Sequence, residues 1–161
     1  MFESGDLMAP GAHPRIARDA MSDVSPNTTR MAYRVPYADT DQMGVVYYAN
    51  YLVYFERMRN ELLRDRGVTY KELEGRGIML PVMEAHCDYA KPARYDDLLE
   101  IRGWCETVGR TRIKCHAEVS RDGELLASGY TVHACLSSET GRPVRLPADV
   151  FPPAAVRSPG R

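Results

Sequence analysis

Between Asn50 and Arg66 the apolar residues Tyr51, Tyr54, Phe55, Met58, Leu62 and Leu63 recur at three- and four-residue spacing, which is the period of one face of an α-helix. Arg57, Arg59, Asn60, Glu61 and Arg64 occupy the other side, with Arg57 and Glu61 placed as an i,i+4 ion pair. Gly67 follows as a stop. A helix with so wide an apolar stripe must lie against an apolar surface, and the chain downstream offers strands to build one.

Those strands are legible one by one. Ala32 to Tyr37 is the first. Leu80 to Ala90 is the next, with Pro81 near its start and Pro92 past its end, where a missing N–H is tolerated. Leu98 to Val108 follows the turn Tyr95-Asp96-Asp97. Gly109 and Arg110 connect it to Thr111–Ser120, where Ile113, Cys115, Ala117 and Val119 alternate with Arg112, Lys114, His116 and Glu118. Asp122-Gly123 signals a hairpin into Glu124–Leu136. Thr69 and Glu72 form a capping box for a short helix to Glu74. The expected class is α+β, one long helix covering one face of a five-stranded antiparallel sheet. One helix leaves apolar sheet surface uncovered, and a second copy of the chain is the simplest cover.

A length of 161 residues suits one domain. A formal net charge of −1 gives no support for binding nucleic acid or a membrane surface. No apolar run reaches the roughly 18 residues of a membrane span, and residues 1–30 contain no signal-peptide core, so the cytoplasm is the expected compartment. Residues 1–30 read as a flexible extension, with translation from Met31 as the other reading. Residues 31–150 are the folded domain and 151–161 an irregular tail. Cys87, Cys105, Cys115 and Cys135 are widely spaced, without a C-x-x-C pair, and read as reduced, buried thiols. His13, His86, His116 and His133 lack ligand spacing, so neither a metal nor a cofactor is expected.

The chemistry concentrates in Tyr37–Leu52. Asp39 and Asp41 stand just before Gly44, which permits a sharp turn, and the long helix opens shortly afterwards. Backbone N–H groups at a helix start have no partner inside the helix. A carboxylate beside them pairs a nucleophile or base with a site for a developing oxyanion, the two requirements of acyl transfer.

The run from Asp39 to Leu52, followed by Phe55, Glu56, Arg57 and Arg59, resembles the hotdog-fold acyl-CoA thioesterases. Within them it is most similar to the 4-hydroxybenzoyl-CoA thioesterase group and its Tol-Pal-associated members. Pro92, Tyr95-Asp96-Asp97 and Gly129 extend the likeness. The resemblance implies a sheet wrapped around the helix, a dimer joined edge to edge into ten strands, often a tetramer, and sites at subunit interfaces. It implies Asp41 as catalytic nucleophile or general base, and Tyr48 as the residue whose backbone N–H polarises the carbonyl. It also implies Arg110 and Arg112 as contacts to the coenzyme A phosphates. Many Tol-Pal-associated members carry His where this chain has Tyr48. A backbone donor survives that change, but a phenol titrating near ~10 does not replace an imidazole at neutral pH.

Other residues carry two readings each. Asp39 reads as a cap or turn residue. Asn50 reads either as helix cap or as substrate contact. Tyr47 and Tyr51 read as packing residues that also suit an acyl pocket, and Lys91 and Arg94 as solvated charges. The expected substrate is an acyl-CoA, with acyl carrier protein thioesters as a variant. A hydratase is disfavoured because no His stands between Met31 and His86, and a non-catalytic acyl-thioester binder because Asp41 is present.

Overall fold

The computed structural model describes residues 27–152. The expected extension lies outside the described residues up to residue 26, and the expected tail lies outside them from residue 153. Strand β1 spans Thr29–Arg34, helix α1 Asn50–Asp65, helix α2 Tyr70–Gly75 and the short β2 Ile78–Met79. Strands β3 (Val82–Tyr89), β4 (Leu98–Val108), β5 (Arg112–Arg121) and β6 (Glu124–Ala134) follow, and β7 (Leu136–Ser137) ends the series. The main sheet is five-stranded in the order β1-β4-β5-β6-β3, every pairing antiparallel. This is the hotdog arrangement that the resemblance implies. A two-stranded sheet of β2 and β7 adds to it.

The six stripe residues of α1 are its buried residues, so the periodicity reading holds in full. At ~1.5–3 kcal/mol for each large apolar side chain, this face is the main reason the helix stays on the sheet. Two glycines allow the close approach. A Cβ on Gly103 would stand 2.4 Å from Met58 Cγ, and one on Gly129 would stand 2.8 Å from Phe55 Cε2 and 2.1 Å from the His86 carbonyl. Asp122 and Gly123 both have positive φ, at 52° and 80°, as the hairpin signal requires. The α2 capping box forms in both directions between Thr69 and Glu72.

Four local expectations need correction. β1 begins at Thr29 rather than Ala32. Thr29 is buried, pairs with Gly103 and donates its hydroxyl to Asp65 at 2.7 Å. The chain leaves the strand at Val35 and makes a 3-10 turn over Tyr37–Asp39. Arg57 does not pair with Glu61. Arg64 takes that carboxylate at 2.6 Å, while the Arg57 guanidinium lies 5.0 Å from the centre of the Tyr33 ring. Cys105 and Cys115 are not separate thiols, because the β4–β5 hairpin sets them directly opposite each other and they are joined by a disulfide.

His133 is fully buried between Leu80, Thr131 and Arg59. Burial, reinforced by the Arg59 cation, lowers its pKa to about 4 and keeps the ring neutral. β3 is an edge strand with no neighbour on its far side among the described residues, and Val82, Met83 and Tyr89 on it are exposed.

Candidate active site

The segment between the 3-10 turn and α1 is held by its own backbone and by long-range side-chain bonds. The Asp41 N–H donates to the Val45 carbonyl at 3.0 Å, and its carbonyl accepts from Gly44 N–H at 2.9 Å. Asp41 Oδ1 accepts from Met43 N–H at 2.8 Å, an Asx turn that fixes the carboxylate. Gly44 sits at φ 72°, a conformation that costs other residues energy. Among the described residues the other Asp41 oxygen, Oδ2, has no partner.

Asp39 turns out to be the brace of this loop. Its Oδ2 accepts from the hydroxyls of Tyr33 and Tyr54, each at 2.8 Å. Its carbonyl accepts from Tyr47 N–H at 2.9 Å and from the Asn50 side-chain amide at 2.8 Å. Burial and the Asp39 carboxylate push the Tyr54 phenol far up, and the Tyr33 phenol is raised by the same two causes, so both hydroxyls stay protonated donors. The structural reading of Asp39 therefore holds, but through two tyrosines rather than through a cap. Asn50 is committed to this brace as well. The residue before α1, Ala49, has helical φ and ψ and supplies no side-chain cap.

The helix start is correspondingly open. Asn50 N–H donates to the Tyr47 carbonyl at 2.9 Å. Among the described residues the amides of Tyr48 and Ala49 have no acceptor. Donors left unpaired at a helix N-terminus favour negative charge. Tyr48 and Asp41 line one cavity of about 280 Å³, whose walls include Val46, Tyr51, Tyr89 and Pro92. Its apolar, aromatic walls suit an acyl group, with the carboxylate and the helix start at its polar side.

The sequence-derived candidates divide clearly. Asp41, Tyr48 and Tyr51 share the cavity. Tyr51 is buried, and its hydroxyl accepts from Ala93 N–H at 3.2 Å. Tyr47 is 44% exposed and packs at a tilt against Tyr48, outside the cavity wall. Arg110 and Arg112 stand at the far end of β4 and β5, about 30 Å of strand from Leu98 at the cavity end. There Arg110 borders a separate cavity of about 250 Å³ with Arg145, Leu146 and Phe151. A single chain thus does not bring these arginines to Asp41. Tyr89 and Lys91 also line the cavity without having been sequence candidates for it, and Lys91 is ion-paired with Glu124. No local signal marks Tyr89, because only the β3–β6 pairing places it beside the helix start.

A family model described as the thioesterase-like superfamily matches residues 35–152. The chain belongs to this superfamily. The acyl-CoA thioester hydrolase YbgC of Escherichia coli is 32% identical over 127 residues, covering 77% of this chain and 95% of that protein. The 1,4-dihydroxy-2-naphthoyl-CoA hydrolase of Synechococcus elongatus is 30% identical over 115 residues, with 70% and 85% covered. Among solved structures, the DHNA-CoA thioesterase of Staphylococcus aureus superposes with a TM-score of 0.70 at 32% identity, covering 74% of this chain and 80% of that one. A structure of 4-hydroxybenzoyl-CoA thioesterase shares the fold, with a TM-score of 0.70 at 21% identity.

Proposed function

We propose that this protein hydrolyses acyl-CoA thioesters to the free acid and coenzyme A, using Asp41 as the reactive carboxylate. The observation that carries the reading is the cavity shared by Asp41 and Tyr48, the latter with an amide that has no acceptor among the described residues, just before α1. In one form Asp41 attacks the thioester carbon, the C–S bond breaks, the thiolate takes up a proton, and water then opens the mixed anhydride. In the other, Asp41 removes a proton from water, and the hydroxide adds to the same carbon before the thiolate leaves. Both routes put negative charge on the carbonyl oxygen, and in this reading the Tyr48 N–H, which has no acceptor among the described residues, receives it. Supporting the substrate class are relatives named as acyl-CoA and 1,4-dihydroxy-2-naphthoyl-CoA hydrolases.

A second copy paired along β3 completes the proposal. An open edge strand with exposed Val82, Met83 and Tyr89 is a liability in a monomer. Antiparallel self-pairing would set Val82 of one copy near the Tyr89 end of the other. Val82 pairs with His133, and Arg112 pairs with Ala134. The hairpin tip carrying Arg110 and Arg112 would then stand at the end of the sheet where the other copy's Asp41 cavity opens, in reach of coenzyme phosphates.

The test is release of free thiol from a panel of aromatic and aliphatic acyl-CoAs. Turnover on at least one is expected, and none on any of them would contradict the reading. Light scattering that finds a stable monomer at micromolar concentration would remove the two-copy site while leaving the Asp41 assignment standing.

A further inference from the structure

Tyr89, the last residue of β3, lines the cavity and donates its hydroxyl to the Tyr48 carbonyl at 3.0 Å. That carbonyl belongs to the peptide whose N–H is the unpaired amide of Ala49. The preceding peptide, which carries the unpaired Tyr48 N–H, is held in the same way, by Asn50 N–H on the Tyr47 carbonyl at 2.9 Å. Each of the two open donors at the helix start thus sits on a peptide anchored through its carbonyl. A hydrogen bond accepted by a peptide carbonyl also polarises the N–H of the same unit, making it a stronger donor.

We propose that Tyr89 is a positioning residue that aims and strengthens the Ala49 N–H as a second oxyanion donor beside that of Tyr48. The inference rests on the thioesterase reading. Its ring makes edge contacts with Tyr51, at 5.3 Å between centroids, and with Tyr48, at 6.5 Å. Burial pushes its phenol up to about 12, so the hydroxyl remains a donor throughout the neutral range. The only other bond to the Tyr48 carbonyl among the described residues is the long one from Tyr51 N–H, at 3.4 Å. Tyr89 therefore sets this peptide. Because it stands on the free edge of the sheet, whatever orders β3 also orders the donors at the helix start.

Tyr89→Phe removes the hydroxyl and keeps the ring. The expected result is a fall in kcat of about tenfold, less than the loss of a whole oxyanion donor, with KM within about twofold and the melting temperature and oligomeric state unchanged. The pH profile of kcat should keep its shape, since the hydroxyl transfers no proton. In the substrate-free protein the Ala49 amide proton resonance should move upfield relative to wild type. Unchanged kcat, a KM rise that accounts for the loss, or an unmoved Ala49 resonance would overturn the inference and leave the thioesterase reading intact. Absence of thiol release by the wild-type protein would overturn both.

Discussion

Tyr54, in the middle of the buried stripe of α1, donates its hydroxyl to Asp39 at 2.8 Å, on the carboxylate oxygen that Tyr33 of β1 also bonds. One oxygen thereby ties the helix and the first strand to the loop that carries Asp41. Asp39→Ala would leave two part-buried phenols without an acceptor. Hydrogen bonds to a charged group contribute ~1.5–3 kcal/mol each, so the loss of both should show in urea denaturation as about 3–6 kcal/mol. A loss below ~1 kcal/mol would return Asp39 to an ordinary turn residue.

His133 makes stability depend on pH. Its folded pKa of about 4 lies below the unfolded value of 6.5, so the unfolded chain binds the proton more readily. The stabilisation from keeping the ring neutral is fully present above pH ~6.5 and is lost as pH falls from there toward ~4. Between pH 7 and pH 5 the loss should be about 2 kcal/mol. It should be absent from His133→Gln, whatever that variant's starting stability. Parallel pH curves for the two proteins would contradict this.

The pairing of Cys105 with Cys115 predicts the thiol count. Alkylation of denatured protein without reductant should modify Cys87 and Cys135 only, and all of the cysteines after reduction. Reduction should lower stability by roughly 2–3 kcal/mol, the scale for a short closed loop. Full labelling before reduction would show that both thiols are free in solution.

Thr29 predicts where the folded domain starts. A chain beginning at Asn27 keeps the Thr29–Gly103 pairing and the bond to Asp65, whereas one beginning at Met31 loses both. The second should melt several degrees below the first, on the scale of ~1 kcal/mol for the lost bond. Equal melting temperatures would place the boundary at Met31.

What can be read from the sequence is what depends on neighbours along the chain. The stripe of α1, the Thr69–Glu72 capping box and the Asp122-Gly123 hairpin rest on local spacing, and the structure reproduces each. Asp41 and Tyr48 come to one cavity as neighbours along the chain, because their motif is contiguous with the helix it precedes. The rest depends on register. Tyr33 and Tyr54 reach Asp39 from separate elements, Tyr89 reaches Tyr48 over 41 positions, and Cys105 meets Cys115 only once the turn at Gly109 sets the pairing. Arg57 has two acceptable partners, and the aromatic face of Tyr33 takes it from Glu61. Periodicity assigns a residue to a face and leaves its partner open.

The most direct measurement is kcat for Asp41→Asn on an acyl-CoA that the wild-type protein turns over, with binding of a non-hydrolysable analogue measured alongside. The substitution keeps shape and removes charge and basicity. If Asp41 is the nucleophile or base, kcat falls by at least about a hundredfold while the analogue still binds. If kcat stays near normal, the carboxylate does not carry the reaction and the site assigned here is wrong.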